Sequence, residues 1–558
     1  MNAERPGAVS ERLQQAVWLS VILVLSVSLY ASFAQPPAVA TDVGTYLLAN
    51  ATNPSRNPTI LSSVDPKDLT LNRHQNLTWW PESYGSIPEF VNQSATTLGI
   101  NLNTGQTIQC TTLIGWLAGV SLWLWFFKLV CPPRALPWIF LCLLTARYSH
   151  ANFYLYDGGE FLYWAIFPAV LLLNYKAVTA DQTKIYSAYL AAGAGALTPM
   201  LVLLKYSAGL SSVGFGMAWL WLLYKNRISK RSFVNWSVNA GTIAFFIFWL
   251  GLIPEGNPTQ VDSAGQWTPL LWITGAWLFA MTDLGTLLNK FTVDILPDMG
   301  NHHDASEGWL FLPLALLLWW VLKQYLSARP DKILTDAKTR NGTILLVGHL
   351  IGFSLILLVF LMSGSAIHMD TRFLRPAAIA VLPLTLLTLW NARSSSRGLV
   401  RIAASVLLVS LTLIPSLYGM AALVHKSFVR AEYAEALTDP VGLRHDLLSL
   451  EGNGVRFFQE LEKMTTADDV IYILEPSMGI PLNNRRLLVE EHAHLRSKDD
   501  LATRTYQGTP NGKLYLPLPK LLVTDGRAEV IKESFRDISQ WNQRQIPNQP
   551  DWLLLIGQ

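Results

Sequence analysis

The chain has 558 residues, of which 51% are hydrophobic, 11% aromatic and 15% charged, with a formal net charge of +3 and a mean hydropathy of +0.28. Soluble domains carry about 25% charged residues, so this composition excludes an ordinary soluble protein, and several runs approach or exceed the ~18 apolar residues that cross a bilayer. Cys110, Cys131 and Cys142 supply neither a disulfide framework nor a metal-ligand spacing.

Arg5 and Arg12 precede the first apolar run, 16–34. Basic residues favour the inner side, so the N-terminus is expected in the cytoplasm. No clear small-residue cleavage site follows, and the run reads as a retained span. Pro36 and Pro37 fix the exit from it. Asp42 then heads a short segment in which Val43, Tyr46 and Leu47 recur at helical spacing, suited to lying along the bilayer surface. An acid at that boundary can act as a base toward a lipid-linked substrate. The plainer reading is a helix cap made by Thr41 or Asp42.

Residues 35–111 form the first outer loop. Spans are expected at about 112–130, 136–147, 161–174, 185–204, 210–224 and 235–253. The loop 148–160 carries Asp157-Gly-Gly-Glu160, and Lys205 sits on the small outer turn before 210. The inner loop Lys225 to Arg231 is the densest basic cluster between spans. A long outer region, 254–308, holds an apolar piece, 269–281, and the run His302-His303-Asp304. If that piece crossed, the later basic loops would fall outside, so it reads as surface-lying or re-entrant. Further spans are expected at about 309–322, 342–362, 377–390 and 402–424, with an outer loop 363–376 that holds Arg372 and Arg375.

About eleven spans starting inside end outside. The expectation is a polytopic α-helical membrane protein: residues 1–424 as the transmembrane domain, 425–558 as a small extracytoplasmic α/β domain. In the latter, 455–464 reads as a helix and 469–474, 486–489, 520–523 and 552–556 as short apolar strands. No phosphate-binding glycine loop is present.

The outer face thus collects Asp42, Asp157, Glu160, Lys205, His302, His303, Asp304, Arg372 and Arg375. Ionisable groups at span ends are costly enough to suggest a role. Asp157 and Glu160 on a glycine turn can converge on a divalent metal or on substrate hydroxyls, with a polar turn as the plain alternative. The guanidinium forks of Arg372 and Arg375 suit a lipid phosphate. Lys205 adds a cation for the same group; snorkelling to the interface is the alternative for all three. The pair His302-His303 with Asp304 reads as a metal candidate or a solvated loop.

With Asp42 in the first outer loop, Asp157-Gly-Gly-Glu160 in the second, and Arg372-Phe-Leu-Arg375-Pro376 before a late span, the chain resembles the GT-C type glycosyltransferases. It is similar in plan to the protein O-mannosyltransferase and aminoarabinose transferase superfamily. One departure is that Asp42 stands alone, not in a pair of acids. The resemblance implies an integral protein of the plasma or inner membrane that uses a polyprenyl-phosphate-linked sugar. Asp42 would be the general base toward an acceptor glycan, lipid or protein. Asp157 and Glu160 would orient hydroxyls, and Arg372, Arg375 and Lys205 would bind the donor phosphate. No cofactor is required by it, a divalent metal is compatible with it, and no nucleic acid partner is expected. A transporter or flippase of lipid-linked sugars would instead need repeat symmetry and charges buried in interrupted spans. A non-catalytic assembly protein would act through 425–558.

Overall fold

Among the described residues, five helices are long and apolar enough to cross a membrane: Glu11–Ala34, Thr104–Val130, Gly159–Thr179, Ile185–Leu203 and Gly398–His425. At 1.5 Å per residue, the 21 residues of Gly159–Thr179 span about 32 Å, the thickness of the hydrocarbon core. Leu136–Thr145 and Leu210–Tyr224 are apolar but shorter. The computed structural model describes residues 8–34, 36–52, 59–77, 81–145, 149, 153, 155–251, 316–325, 337–362, 383–393, 397–429, 441–443, 454–482, 485–490, 496–545 and 552–558. The predicted apolar piece 269–281 lies outside them.

The chain divides into two units. The helical unit comprises Met1–Ala31, Leu113–Ala151 and Gly159–Lys426. Its helices turn apolar side chains outward: Leu19, Ile22, Ile114, Leu220, Phe248 and Ile402 are all more than half exposed. That is the pattern of a bundle whose solvent is lipid, where association depends on close packing and internal polar bonds. Small residues supply the packing between Leu210–Tyr224 and Ala337–Met362. Gly348 and Gly352, one turn apart, face Gly214 and Ala218, also one turn apart. A Cβ on Gly352 would lie 2.4 Å from Gly214 Cα, and one on Gly348 2.6 Å from Ala218 Cβ, so neither position admits a larger residue at this separation.

Asn174 supplies the polar bonds. It is fully buried in the helix Gly159–Thr179. Its Oδ1 accepts from Trp219 Nε1 at 2.8 Å and Trp236 Nε1 at 3.0 Å, while Nδ2 donates to Thr198 Oγ1 at 3.1 Å. One amide therefore ties four consecutive helices, and the two indoles stack 5.5 Å apart above it. A polar side chain in an apolar bundle is tolerable because these partners satisfy it.

The α/β unit joins Ser32–Thr112 and Asn152–Gly158 to Ser427–Gln558. Strands β1 (Ala38–Val39), β2 (Ile60–Asp65), β3 (Asp68–Asn76) and β4 (Leu155–Tyr156) come from the first two segments. Five more follow: β5 (Val470–Ile473), β6 (Arg486–Val489), β7 (Leu514–Pro519), β8 (Trp541–Gln545) and β9 (Trp552–Gly557). They form a sheet in the order β6-β5-β7-β9-β8, parallel across β6-β5-β7 and antiparallel across β7-β9-β8. The predicted strand 520–523 is instead the helical turn Lys520–Thr524, and the strand lies just before it as β7. Pro517 and Pro519 hid β7, because proline weakens a strand reading. They are accommodated because β5 pairs only with Leu514 and Tyr515, leaving the rest of β7 laddered to β9.

The first loop and the C-terminal sheet share one core. The β2–β3 hairpin is held where Leu69 N donates to Gln507 O at 2.9 Å and Gln507 N to Pro66 O at 3.1 Å. Arg486 Nη2 adds a bond to Leu69 O at 2.9 Å. Beneath β5, Tyr472, Tyr506 and Phe535 form an aromatic cluster, with Tyr506 and Phe535 stacked 4.4 Å apart.

Candidate functional site

Asp42 stands in the first turn of the helix Thr41–Thr52, where a negative charge meets the positive end of the helix dipole. The helix starts there because the two prolines hold the preceding chain extended as β1. β1 pairs with β4 in parallel, Ala38 against Leu155 and Val39 against Tyr156, and Ala40 N continues the ladder to Tyr156 O at 3.0 Å. Parallel strands leave a ladder at the same end. Asp157, directly after Tyr156, and Asp42, directly after Ala40 and Thr41, are thereby delivered to one end of the pair. Both are half-buried.

Gly158 fixes that arrangement. Its φ of +68° is left-handed, and a Cβ there would lie 2.9 Å from Val43 Cγ2 and 3.1 Å from the Tyr84 ring. Glycine is required on both counts. Tyr84 belongs to the helix Ser83–Thr97 and packs on Tyr46, ring centroids 6.1 Å apart; Tyr46 in turn donates to Leu77 O at 3.4 Å. Burial first, and then the Asp157 carboxylate beside it, push the Tyr156 phenol far above its ordinary pKa. That hydroxyl stays protonated at any working pH and is a neutral neighbour of the acids.

In the helical unit, Glu160 opens the helix Gly159–Thr179 and makes an ion pair with Lys205 Nζ. The side chains are 4% and 2% exposed, so the pair is buried. Lys205 is placed between the 3-10 turns Leu201–Leu203 and Tyr206–Gly209, with Ala208 N donating to its carbonyl at 2.8 Å. One turn beyond Glu160, Tyr163 hydroxyl lies 2.9 Å from Ser211 Oγ and 3.4 Å from His349 Nε2. His349 is completely buried, with the rings of Phe167, Phe215 and Phe353 around it.

Of the residues singled out from sequence, Asp42 and Asp157 follow paired strands in one unit, and Glu160 pairs with Lys205 in the other. His302, His303, Asp304, Arg372 and Arg375 lie outside the described residues. Among the described residues, no group of three His, Cys, Asp or Glu side chains is placed to hold a metal ion. Sequence reasoning missed His349 and Glu475, both buried. His349 had a readable signal, since a histidine inside an apolar run is expensive unless it is used.

No protein-family model and no curated protein matches the chain. Solved structures do. The oligosaccharyltransferase of Archaeoglobus fulgidus, in its apo form, is similar with a TM-score of 0.51 at 9% identity, over 94% of this chain and 73% of that one. ArnT of Cupriavidus metallidurans bound to undecaprenyl phosphate gives 0.49 at 10% identity, over 97% and 98% of the two chains. Its apo form gives 0.47 at 11% identity, over 98% of each. At such identities the archaeal likeness is one of fold: the chain has the polytopic GT-C architecture, with a sheet built from its C-terminal part.

Proposed function

With the GT-C fold as the premise, we propose that this chain is an integral membrane glycosyltransferase. It moves a sugar from a polyprenyl-phosphate donor to an acceptor hydroxyl on a glycan, lipid or protein at the outer face. The observation that carries the reading is the β1–β4 ladder, which brings Asp42 and Asp157 to one end of a parallel pair from distant parts of the sequence.

In this scheme Asp42 takes the proton from the acceptor hydroxyl as its oxygen bonds to the anomeric carbon. The bond from that carbon to the phosphate oxygen breaks, its electron pair stays with the phosphate, and the anomeric centre inverts. Base catalysis of this kind is worth about 10²–10⁴-fold. Asp157 orients the acceptor or sugar hydroxyls. Arg372 and Arg375 offer guanidinium forks to the leaving phosphate.

The test is transfer by the purified full chain in lipid nanodiscs, supplied with a panel of synthetic polyprenyl-phosphate sugars and extracted envelope acceptors. Release of polyprenyl phosphate with inverted anomeric configuration in the product is the expected result. Donors that all remain intact would refute the transferase reading.

A further inference from the structure

In open α/β sheets the crevice at the carboxyl ends of the strands, where neighbours depart to opposite sides, is the usual ligand site. Here β5, flanked by the parallel strands β6 and β7, presents such a carboxyl end. The turn leaving β5 is Pro476–Gly479, and it is packed against the helix Thr41–Thr52 of the same unit. A Cβ on Gly44 would lie 3.1 Å from Ser477 N and 3.3 Å from Ser477 Cβ. Leu48 is one turn further along the same helical face. It is fully buried, and its Cδ atoms lie 3.0 and 3.2 Å from where a Gly479 Cβ would be. The helix that begins with Thr41-Asp42 thus packs on the turn at the carboxyl end of β5.

We infer that the C-terminal domain positions the base. Gly44 and Ser477 are positioning residues: their contact sets the seat of the first turn and so the location of the Asp42 carboxylate. Gly158 packs against Val43 of the same turn and against Tyr84. The sheet of 427–558 is then part of the catalytic apparatus although it contributes no reacting group. The inference rests on Asp42 being the base.

Gly44→Ala tests it with one methyl. Alanine is the better helix former, so a face with room would gain stability and keep its turnover. A Cβ at 3.1 Å from a backbone nitrogen instead moves the first turn by a few tenths of an ångström. A misplacement of about 1 Å in a catalytic group can cost about 100-fold, so roughly a tenfold fall in kcat is expected, with the donor KM unchanged. Thermal melts of each variant separate a displaced helix from an unfolded chain. Unchanged kcat in Gly44→Ala overturns the inference.

Amide hydrogen exchange on the full chain provides a readout independent of turnover. Gly44→Val is expected to speed exchange in 41–52 and 476–479 together, while acceleration confined to 41–52 overturns the inference. Should the parent protein transfer no sugar, the proposed function fails alone, and exchange still decides whether the sheet seats this helix.

Discussion

The buried pair Glu160–Lys205 yields the sharpest stability test. Both side chains are almost wholly removed from solvent, at 4% and 2% exposure. Two unit charges about 3 Å apart at an effective dielectric constant of 20 attract by roughly 5.5 kcal/mol, and removing one partner of a buried pair typically costs about 3–5 kcal/mol. Glu160→Gln strands a buried ammonium, and Lys205→Met strands a buried carboxylate. Each alone should lose about 3–5 kcal/mol, whereas the double variant removes both charges and should cost far less than the sum. The assay is equilibrium unfolding of the parent, both singles and the double in mixed detergent micelles, followed by tryptophan fluorescence. A coupling of at least about 2 kcal/mol is expected. Single effects that add to within about 0.5 kcal/mol, as independent sites do, would refute the buried pair.

Two further outcomes follow from the packing and the titrating groups. Asn174→Leu leaves the Trp219 and Trp236 indoles without their shared acceptor; polar bonds in membrane bundles average near 0.6 kcal/mol with larger values for orphaned buried groups, so a loss of about 2 kcal/mol and a change in tryptophan emission are expected, and unchanged emission would count against the network. In the α/β unit, burial, assisted by the Glu490 carboxylate, holds the Tyr472 and Tyr506 phenols far above their ordinary value near 10. Groups with raised folded pKa values contribute stability that is complete below the unfolded value, so the unfolding free energy of this unit should hold up to about pH 10 and fall above it, by about 1.4 kcal/mol per pH unit for each phenol. A Tyr506→Phe variant with the same alkaline limb would exclude that residue as a cause.

Much of the helical unit was legible because a span is a long apolar run. The run 210–224 coincides with Leu210–Tyr224, and 342–362 lies within Ala337–Met362. Helices start before the expected spans where polar residues open them, as at Lys230–Trp249 and Thr104–Val130, and the expected 235–253 runs past the helix end at Trp249. The helix at Asp42 was visible in the spacing of Val43, Tyr46 and Leu47. Its neighbours were not. β1 and β4 are two residues each, too short for any periodicity, so the pairing that precedes Asp42 and Asp157 leaves no local trace. The same holds for the union of 32–112 with 427–558. It depends on contacts such as Arg486 to Leu69 and Ser477 to Gly44, which only the folded chain brings together. Gly348 and Gly352 had a readable four-residue spacing, but their partners Gly214 and Ala218 did not announce the pairing.

The base assignment is tested most directly by single-turnover transfer from a synthetic polyprenyl-phosphate sugar, comparing the parent with Asp42→Asn. Asparagine keeps the shape of the side chain and serves equally well at a helix N-terminus, but its amide accepts no proton near neutral pH. The expected result is a turnover lowered by about 10²–10⁴-fold with the donor still bound and the melting temperature within a few degrees of the parent. Turnover near the parental rate would contradict the account and reduce Asp42 to a residue that helps start a helix.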